Sequence, residues 1–195
     1  MSKILKVKAR QIFDSRGNPT VEAEVFTKKN SASAICPSGA STGSYEAFEK
    51  RDKNNRKYLG KSVLSAVSII NKKISKKLKG YNVHDQERID TLMINLDGTS
   101  QKSRLGANTI LAVSMAVKKL SANLKKIPLY KTFFIKKNFQ LPYPLMNIIN
   151  GGAHADNDLN IQEFMIRPDS AKNFMDAIEK CFLVIQSLKK ILKSK

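Results

Sequence analysis

The chain has 195 residues, 42% of them hydrophobic, with nine glycines and six prolines. This length and composition exclude a disordered or fibrous protein and predict one or two globular domains with a buried core. The formal net charge of +19 indicates a possible anionic partner, either nucleic acid or an acidic membrane surface.

The lysines, however, occur as short pairs spread along the whole chain rather than as one patch interleaved with aromatic residues. Such spacing is typical of the solvated faces of successive helices. No helix-turn-helix, RRM or zinc-finger signature accompanies the charge, so we expect no specific nucleic-acid binding.

No apolar run is long enough to cross a bilayer, and the N-terminus lacks the features of a signal peptide. We therefore expect a cytoplasmic protein without a membrane span. Cys36 and Cys181 lie far apart with no metal-ligand spacing around them, which predicts two small buried apolar residues rather than a disulfide or zinc site.

Three strands are predicted in the first 36 residues. Residues 4–13 are rich in β-forming residues and end in a cluster of turn residues. In the next segment Val21, Ala23 and Val25 alternate with residues of the opposite face, which is the period of a strand with one buried side. Residues 31–36 form a third strand, and an antiparallel meander is the simplest arrangement.

Small hydroxyl and glycine residues make up the loop at 37–44. Its lack of side-chain bulk predicts a mobile segment whose hydroxyl and N–H groups can reach a metal or a phosphate. The loop lacks the Gly-Lys-Ser/Thr ending of a P-loop, and a flexible linker is the alternative interpretation.

Three helices follow, and together with the meander they predict an α+β domain. Apolar residues at steps of three and four predict an amphipathic helix from Val63 to Leu78, ending near Gly80. Asp85 is a candidate cap for a helix over 86–94. The helix over 106–124 is apolar nearly all round in its first half, which predicts a central helix packed on the meander. We interpret His84 as a surface or capping residue.

A boundary is predicted near residue 135, where prolines frame a basic and aromatic segment. Beyond it, two short apolar strands flank a loop of Gly, Asn, Asp and one histidine, His154. Gln162 and Glu163 place an amide and a carboxylate inside the second strand, where a carboxylate must be paired to be stable. A functional site is one interpretation, and a hairpin with a solvated loop is the other. An amphipathic helix is predicted over 171–193.

Six motifs in this chain resemble those of the enolase family, in the same order and with the same spacing. They are Asp14-Ser15-Arg16-Gly17-Asn18-Pro19-Thr20, Pro37-Ser38-Gly39-Ala40-Ser41-Thr42-Gly43, Leu96-Asp97-Gly98-Thr99, Leu105-Gly106-Ala107-Asn108, Met146-Asn147-Ile148-Ile149-Asn150-Gly151-Gly152 with His154, and Gln162-Glu163-Phe164-Met165-Ile166. The resemblance implies an α+β N-terminal capping domain at 1–135, with an antiparallel three-stranded meander plus helices. The first strands and helix of an incomplete α/β (TIM-like) barrel then occupy 141–195.

The resemblance also implies an activity, because enolases are magnesium-dependent lyases that dehydrate 2-phosphoglycerate to phosphoenolpyruvate in glycolysis. Ser41 matches the loop serine that ligates the second magnesium (Mg2+). His154 matches a histidine of an active-site loop. Gln162 and Glu163 match a pair that contacts the substrate, with the glutamate assisting departure of the hydroxyl. Arg16 lies in a matching motif without an assigned role.

In enolases the acid glutamate, the carboxylates on the first magnesium, the base lysine and the phosphate-binding arginine come later in the chain. We expect Asp156, Asn157 and Asp158 to be solvated rather than to replace them. One hypothesis is therefore an enolase whose barrel is truncated or encoded separately, working as a homodimer or with a complementing C-terminal enolase chain. The alternative is a non-catalytic remnant or a basic binding module.

Overall fold

The computed structural model describes residues 2–39, 43–133 and 139–194. The chain divides into two compact units, Met1–Ile135 and Lys136–Lys195. Among the described residues no helix is both long enough and apolar enough to cross a membrane.

The first unit contains a three-stranded antiparallel sheet in the order β1-β2-β3. The strands are β1 (Lys6–Phe13), β2 (Pro19–Phe26) and β3 (Ser31–Cys36), so the predicted meander is confirmed. The alternation in β2 predicted one buried side, and Val21, Ala23 and Val25 on that side are fully buried.

The predicted helix after the meander forms in three parts. They are α1 (Leu64–Ile69), a π-helical turn (Ile70–Ile74) that the spacing did not predict, and α2 (Ser75–Leu78). Ile70, Ile74 and Leu78 are buried in the core. On the side toward β1, the backbone N–H of Ala9 donates to Oδ1 of Asn71 (2.8 Å). The side chain of Asn71 therefore supplies a hydrogen-bond partner to the edge of β1 that is not paired with β2.

Two longer helices complete this unit, α3 (Gln86–Asp97) and α4 (Ala107–Lys125). α4 packs on β2 and β3, which confirms its prediction as the central helix. α3 runs three residues beyond the predicted end at 94, because Gly98 supplies the left-handed cap (φ +68°) that stops it. Asp85 occupies the N-cap position but makes no side-chain capping bond.

Two single residues have surroundings that the sequence did not predict. His84, interpreted as a surface or capping residue, is half-buried, and its Nδ1 lies 2.8 Å from Oγ of Ser121. The partner comes from α4, 37 residues away, and only the packing of the fold brings it there. Cys36 is half-buried rather than buried, while Cys181 is buried, and both are free thiols.

The second unit contains β4 (Met146–Asn150), β5 (Glu163–Ile166) and α5 (Phe174–Lys193). The two strands pair antiparallel with a register shift between Asn147 and Ile149. α5 begins three residues later than predicted, where Oδ1 of Asn173 accepts a capping bond of 3.0 Å from the N–H of Asp176.

Candidate active-site cluster on the β4–β5 loop

The loop between β4 and β5 turns back on itself at two glycines. The N–H of Gly151 donates to the carbonyl of Gln162 (2.9 Å), and the N–H of Gly152 donates to the carbonyl of Leu159 (2.7 Å). A Cβ on Gly151 would overlap the carbonyl oxygen of Ile161, and Gly152 has φ +52°. Glycine is therefore needed at position 151 for the two sides of the loop to approach this closely, and it is favoured at position 152 by the left-handed backbone.

This closed loop brings His154 against the start of β5. Nδ1 of His154 lies 2.9 Å from Oε1 of Glu163, and Nε2 lies 2.8 Å from Nε2 of Gln162. The amide nitrogen can only donate, so Nε2 of the neutral ring accepts and the ring proton is assigned to Nδ1, from which it is donated to the carboxylate. Each of the three side chains therefore has a complementary partner.

The cluster is accessible as well as ordered. The side chains of His154 and Glu163 keep 25% and 34% of their surface exposed. A carboxylate paired with an imidazole can hold or pass a proton, and the neighbouring amide offers a directional hydrogen bond. This arrangement suits a small ligand rich in oxygen atoms.

Comparison with known proteins explains the arrangement. The enolase N-terminal domain matches residues 4–133, and the enolase C-terminal TIM barrel domain matches residues 138–195. The chain belongs to the enolase family. The predicted fold class, an enolase N-terminal domain followed by the start of a TIM barrel, is thereby confirmed.

Two enolases show how far this family likeness extends. The enolase of Pelagibacter ubique is 74% identical over 195 residues, which is 100% of this chain and 47% of that protein. The enolase of Methanosarcina mazei is 53% identical over 193 residues, or 99% of this chain and 45% of that protein. The chain spans about half the length of these curated relatives.

The structure brings together three of the four residues that the enolase motifs single out, namely His154, Gln162 and Glu163. Ser41 lies outside the described residues, as does part of the loop at 37–44. Gln162 was predicted inside a strand, which is wrong, because β5 begins at Glu163 and Gln162 is exposed just before it. Arg16 is also exposed, and its backbone N–H donates to Asp14.

Asn157 is exposed, as expected, but its side chain also makes two hydrogen bonds within the loop. Its Nδ2 donates to the carbonyl of Asn150 (3.0 Å), and its Oδ1 accepts from the N–H of Leu159 (3.1 Å). The side chain therefore braces the loop that carries His154. The Asn-x-Leu segment is an Asx-turn, a sequence signal that could have identified this role.

The described residues do not form a complete metal site by themselves. Mg2+ requires near-octahedral coordination by oxygen, usually with one or two carboxylates. Within 2–39, 43–133 and 139–194, no three His, Cys, Asp or Glu side chains are grouped so that they could hold a metal ion.

Both described ends of the 37–44 loop are anchored, by residues that the sequence reasoning missed. At the first end, Nη2 of Arg51 donates to Oγ of Ser38 (2.7 Å), and the same guanidinium binds Glu49 in bidentate fashion (2.9 and 3.1 Å). At the other end, the N–H of Gly43 donates to Oε1 of Glu46 (2.8 Å). A cavity of about 280 Å³ lies beside these ends.

Proposed function

We propose that this chain supplies part of the substrate site of an enolase, a lyase that dehydrates 2-phosphoglycerate to phosphoenolpyruvate in glycolysis. The observation that supports this most directly is the cluster of His154, Gln162 and Glu163, formed at the matching positions of a chain in the enolase family. On this proposal, residues 1–135 form the capping domain and 141–195 the start of the barrel, in a cytoplasmic protein.

Each residue of the cluster has a proposed role in the dehydration. Hydroxide is a poor leaving group, and because the acid glutamate that protonates it comes later in the chain of enolases, Glu163 assists the departure without supplying the proton. Glu163 contacts the leaving hydroxyl and assists its departure, while Gln162 binds the substrate through its amide. His154 holds the carboxylate of Glu163 at 2.9 Å and contributes a second polar group to the substrate.

The remaining groups must come from polypeptide other than the described residues. Removal of a proton next to a carboxylate builds negative charge, which enolases offset with magnesium. We propose Ser41 as a magnesium ligand from this chain, with the other ligands, the base and the phosphate-binding group supplied by a complementing C-terminal enolase chain. A homodimer of such complexes is compatible with this proposal.

A reconstitution experiment tests the proposal. Phosphoenolpyruvate formation is followed in the presence of magnesium for the purified chain alone, and for the chain mixed with the remaining part of the Pelagibacter ubique enolase. We expect activity only in the mixture. In the mixture, Glu163→Gln should lower kcat about 10²- to 10⁴-fold, the usual contribution of a positioned acid or base.

Asp158→Asn is the matched control, because Asp158 is an exposed carboxylate on the same loop. It should leave kcat unchanged. A correctly folded mixture that forms no phosphoenolpyruvate, or one in which Glu163→Gln is fully active, would contradict the proposed function and favour a non-catalytic chain. Activity of the chain alone would contradict the proposed need for a complementing chain.

A further inference from the structure

One segment of the first unit contains several lysines and no acidic residue. Residues 61–84 contain six lysines and no aspartate or glutamate. Four of these lysines are exposed on the π-helical turn and α2, namely Lys72, Lys73, Lys76 and Lys77. The opposite side of the same segment is buried in the core, so the cations are held on one side by the packing of the helix.

The adjoining edge of the sheet adds a fifth cation. The N–H of Val7 donates to Oγ of Ser75 (2.9 Å), and the N–H of Ala9 donates to Oδ1 of Asn71 (2.8 Å). Lys8 lies between these two anchored residues and is exposed. We call this set the lysine face; its members are Lys8, Lys72, Lys73, Lys76 and Lys77.

The lysine face is distinguished by the position of its four helical lysines on successive turns of a segment without acidic residues. In the part of the chain that the structure describes, none of its five ammonium groups takes part in an ion pair or a hydrogen bond. By contrast, Arg10 is paired with Glu22, and Lys180 lies 3.1 Å from Asp176. Lys8 lies opposite Glu24 in the β1–β2 register, so the uncompensated charge is that of the four helical lysines, which create a local positive potential that attracts an extended anion.

We propose that the lysine face binds the phosphate backbone of duplex nucleic acid without reading its sequence. Lysine is a point charge that suits phosphate oxygens, and neutralising phosphates releases counterions, which drives binding. The π-helical turn and α2, which carry the four helical lysines, contain no arginine and no aromatic residue. These two turns therefore lack the usual side chains for bidentate base readout and the stacking platforms of single-strand binders.

The same geometry argues against a lipid surface. Stable membrane binding normally needs two signals, a basic patch and an inserted apolar group. Here Ile70, Ile74 and Leu78 are fully buried in the domain core, so the turns that carry the four helical lysines have no apolar side chain left to insert. A rigid duplex, with about one negative charge per 1.7 Å of its axis, needs only the cations.

Fluorescence anisotropy with a labelled random-sequence duplex tests the proposal, using the complete chain between 50 and 200 mM KCl. We assume that each of the four helical lysines neutralises one phosphate. Together they should then contribute about −3.6 to the slope of log K against log salt concentration, which is about a 100-fold loss of affinity over this range. The combined variant Lys72→Gln, Lys73→Gln, Lys76→Gln, Lys77→Gln should lose this part of the slope and bind about 10-fold more weakly or worse at 50 mM KCl.

The control variant loses four charges at exposed sites that are not members of the lysine face, through Lys28→Gln, Lys29→Gln, Lys189→Gln and Lys190→Gln. It should keep most of the affinity. Equal losses in both variants would overturn the proposal, because net charge alone would then explain binding. Three other results would also overturn the proposal. They are no binding of the duplex at 50 mM KCl, equal affinity for a single strand and for the duplex, and binding of phosphatidylserine vesicles without binding of the duplex. Circular dichroism must show that both variants keep the wild-type helix content.

Discussion

The carboxylate of Asp97 accepts a hydrogen bond of 2.7 Å from the backbone N–H of Leu105 and thereby ties the end of α3 to the start of α4. Asp97 is fully buried, and it also accepts bonds from the hydroxyl and the N–H of Thr99. Burial alone would raise the pKa of this carboxyl, but the hydrogen bonds outweigh it and hold the pKa below its usual value. The folded state therefore prefers the ionised form.

The first prediction concerns stability at low pH. Because the pKa of Asp97 is lower in the folded chain, its stabilising contribution is complete above the unfolded pKa of about 3.9 and is lost as pH falls through the folded pKa. Asp97→Asn should reduce the free energy of unfolding at pH 7 by about 1–3 kcal/mol, since a donating amide group replaces an acceptor. It should also make stability less dependent on pH below 4.

Urea unfolding at pH 7 and at low pH measures this effect, and Glu87→Gln serves as the control. Glu87 is an exposed carboxylate on the same helix, and its replacement should change stability by no more than about 0.5 kcal/mol. If the two variants lose equal stability at pH 7, the loss cannot be attributed to the buried hydrogen bonds of Asp97, and the prediction is contradicted.

The second prediction concerns Gly106, which precedes α4 with φ +96°. A Cβ there would overlap Cβ of Lys50, whose backbone N–H donates to Oδ1 of Asn108 (3.0 Å). Gly17 also has a positive φ (+75°), but a Cβ there would meet nothing within 4 Å. Gly17→Ala should therefore cost about 1–2 kcal/mol from conformation alone, whereas Gly106→Ala should cost at least about 1 kcal/mol more from overpacking.

Equilibrium unfolding of the two glycine variants under the same conditions separates the two costs. Equal losses of unfolding free energy would mean that the Lys50 segment moves aside without penalty. A larger loss for Gly106→Ala would show that this segment is held in place by the start of α4.

The third prediction concerns the reactivity of Cys36. Burial, with a further effect from the negative charge of Glu49, raises the pKa of this thiol to about 11. Only the thiolate reacts with an alkylating agent, so at pH 8 Cys36 should react about 100-fold more slowly than a thiol of pKa about 8.5. Its rate should still rise with pH between 9 and 10.

Iodoacetamide labelling followed by peptide mass spectrometry gives the rate at each cysteine. The chain unfolded in urea is the control, because unfolding exposes both thiols and should restore the ordinary rate. Rapid labelling of Cys36 in the folded chain at pH 8 would contradict the raised pKa.

Local sequence patterns predicted most elements because alternation and helical spacing record which side of an element is buried. They failed where the deciding partner is distant in the chain. The bond between His84 and Ser121 joins residues 37 apart, and the amide of Asn108 binds the backbone of Lys50 58 residues away. The π-helical turn at Ile70–Ile74 was likewise not predicted, because the spacing of its apolar residues is the same as in an α-helix.

The site shows the same division between local and distant information. His154, Gln162 and Glu163 were identified by the motifs that contain them, but the motifs do not specify which atoms meet. That depends on the path of the loop, which the contacts of Gly151 and the brace from Asn157 determine. The lysine pairs are dispersed along the chain as a whole, and the bonds of β1 to Asn71 and Ser75 are what place Lys8 beside the helix that carries two of these pairs.

The last prediction concerns α5, whose apolar stripe is only partly buried. Phe182 and Leu192 keep 56% and 61% of their surface exposed, whereas Ala177 and Cys181 on the same helix are buried. Exposed apolar patches of this kind promote association. The chain alone should therefore self-associate in sedimentation velocity, and the double variant Phe182→Gln, Leu192→Gln should shift it toward a monomer. Ser187→Gln, at an exposed polar position of the same helix, should not. A monodisperse wild-type monomer would contradict this account, because it would mean that the exposed side chains of α5 do not drive association.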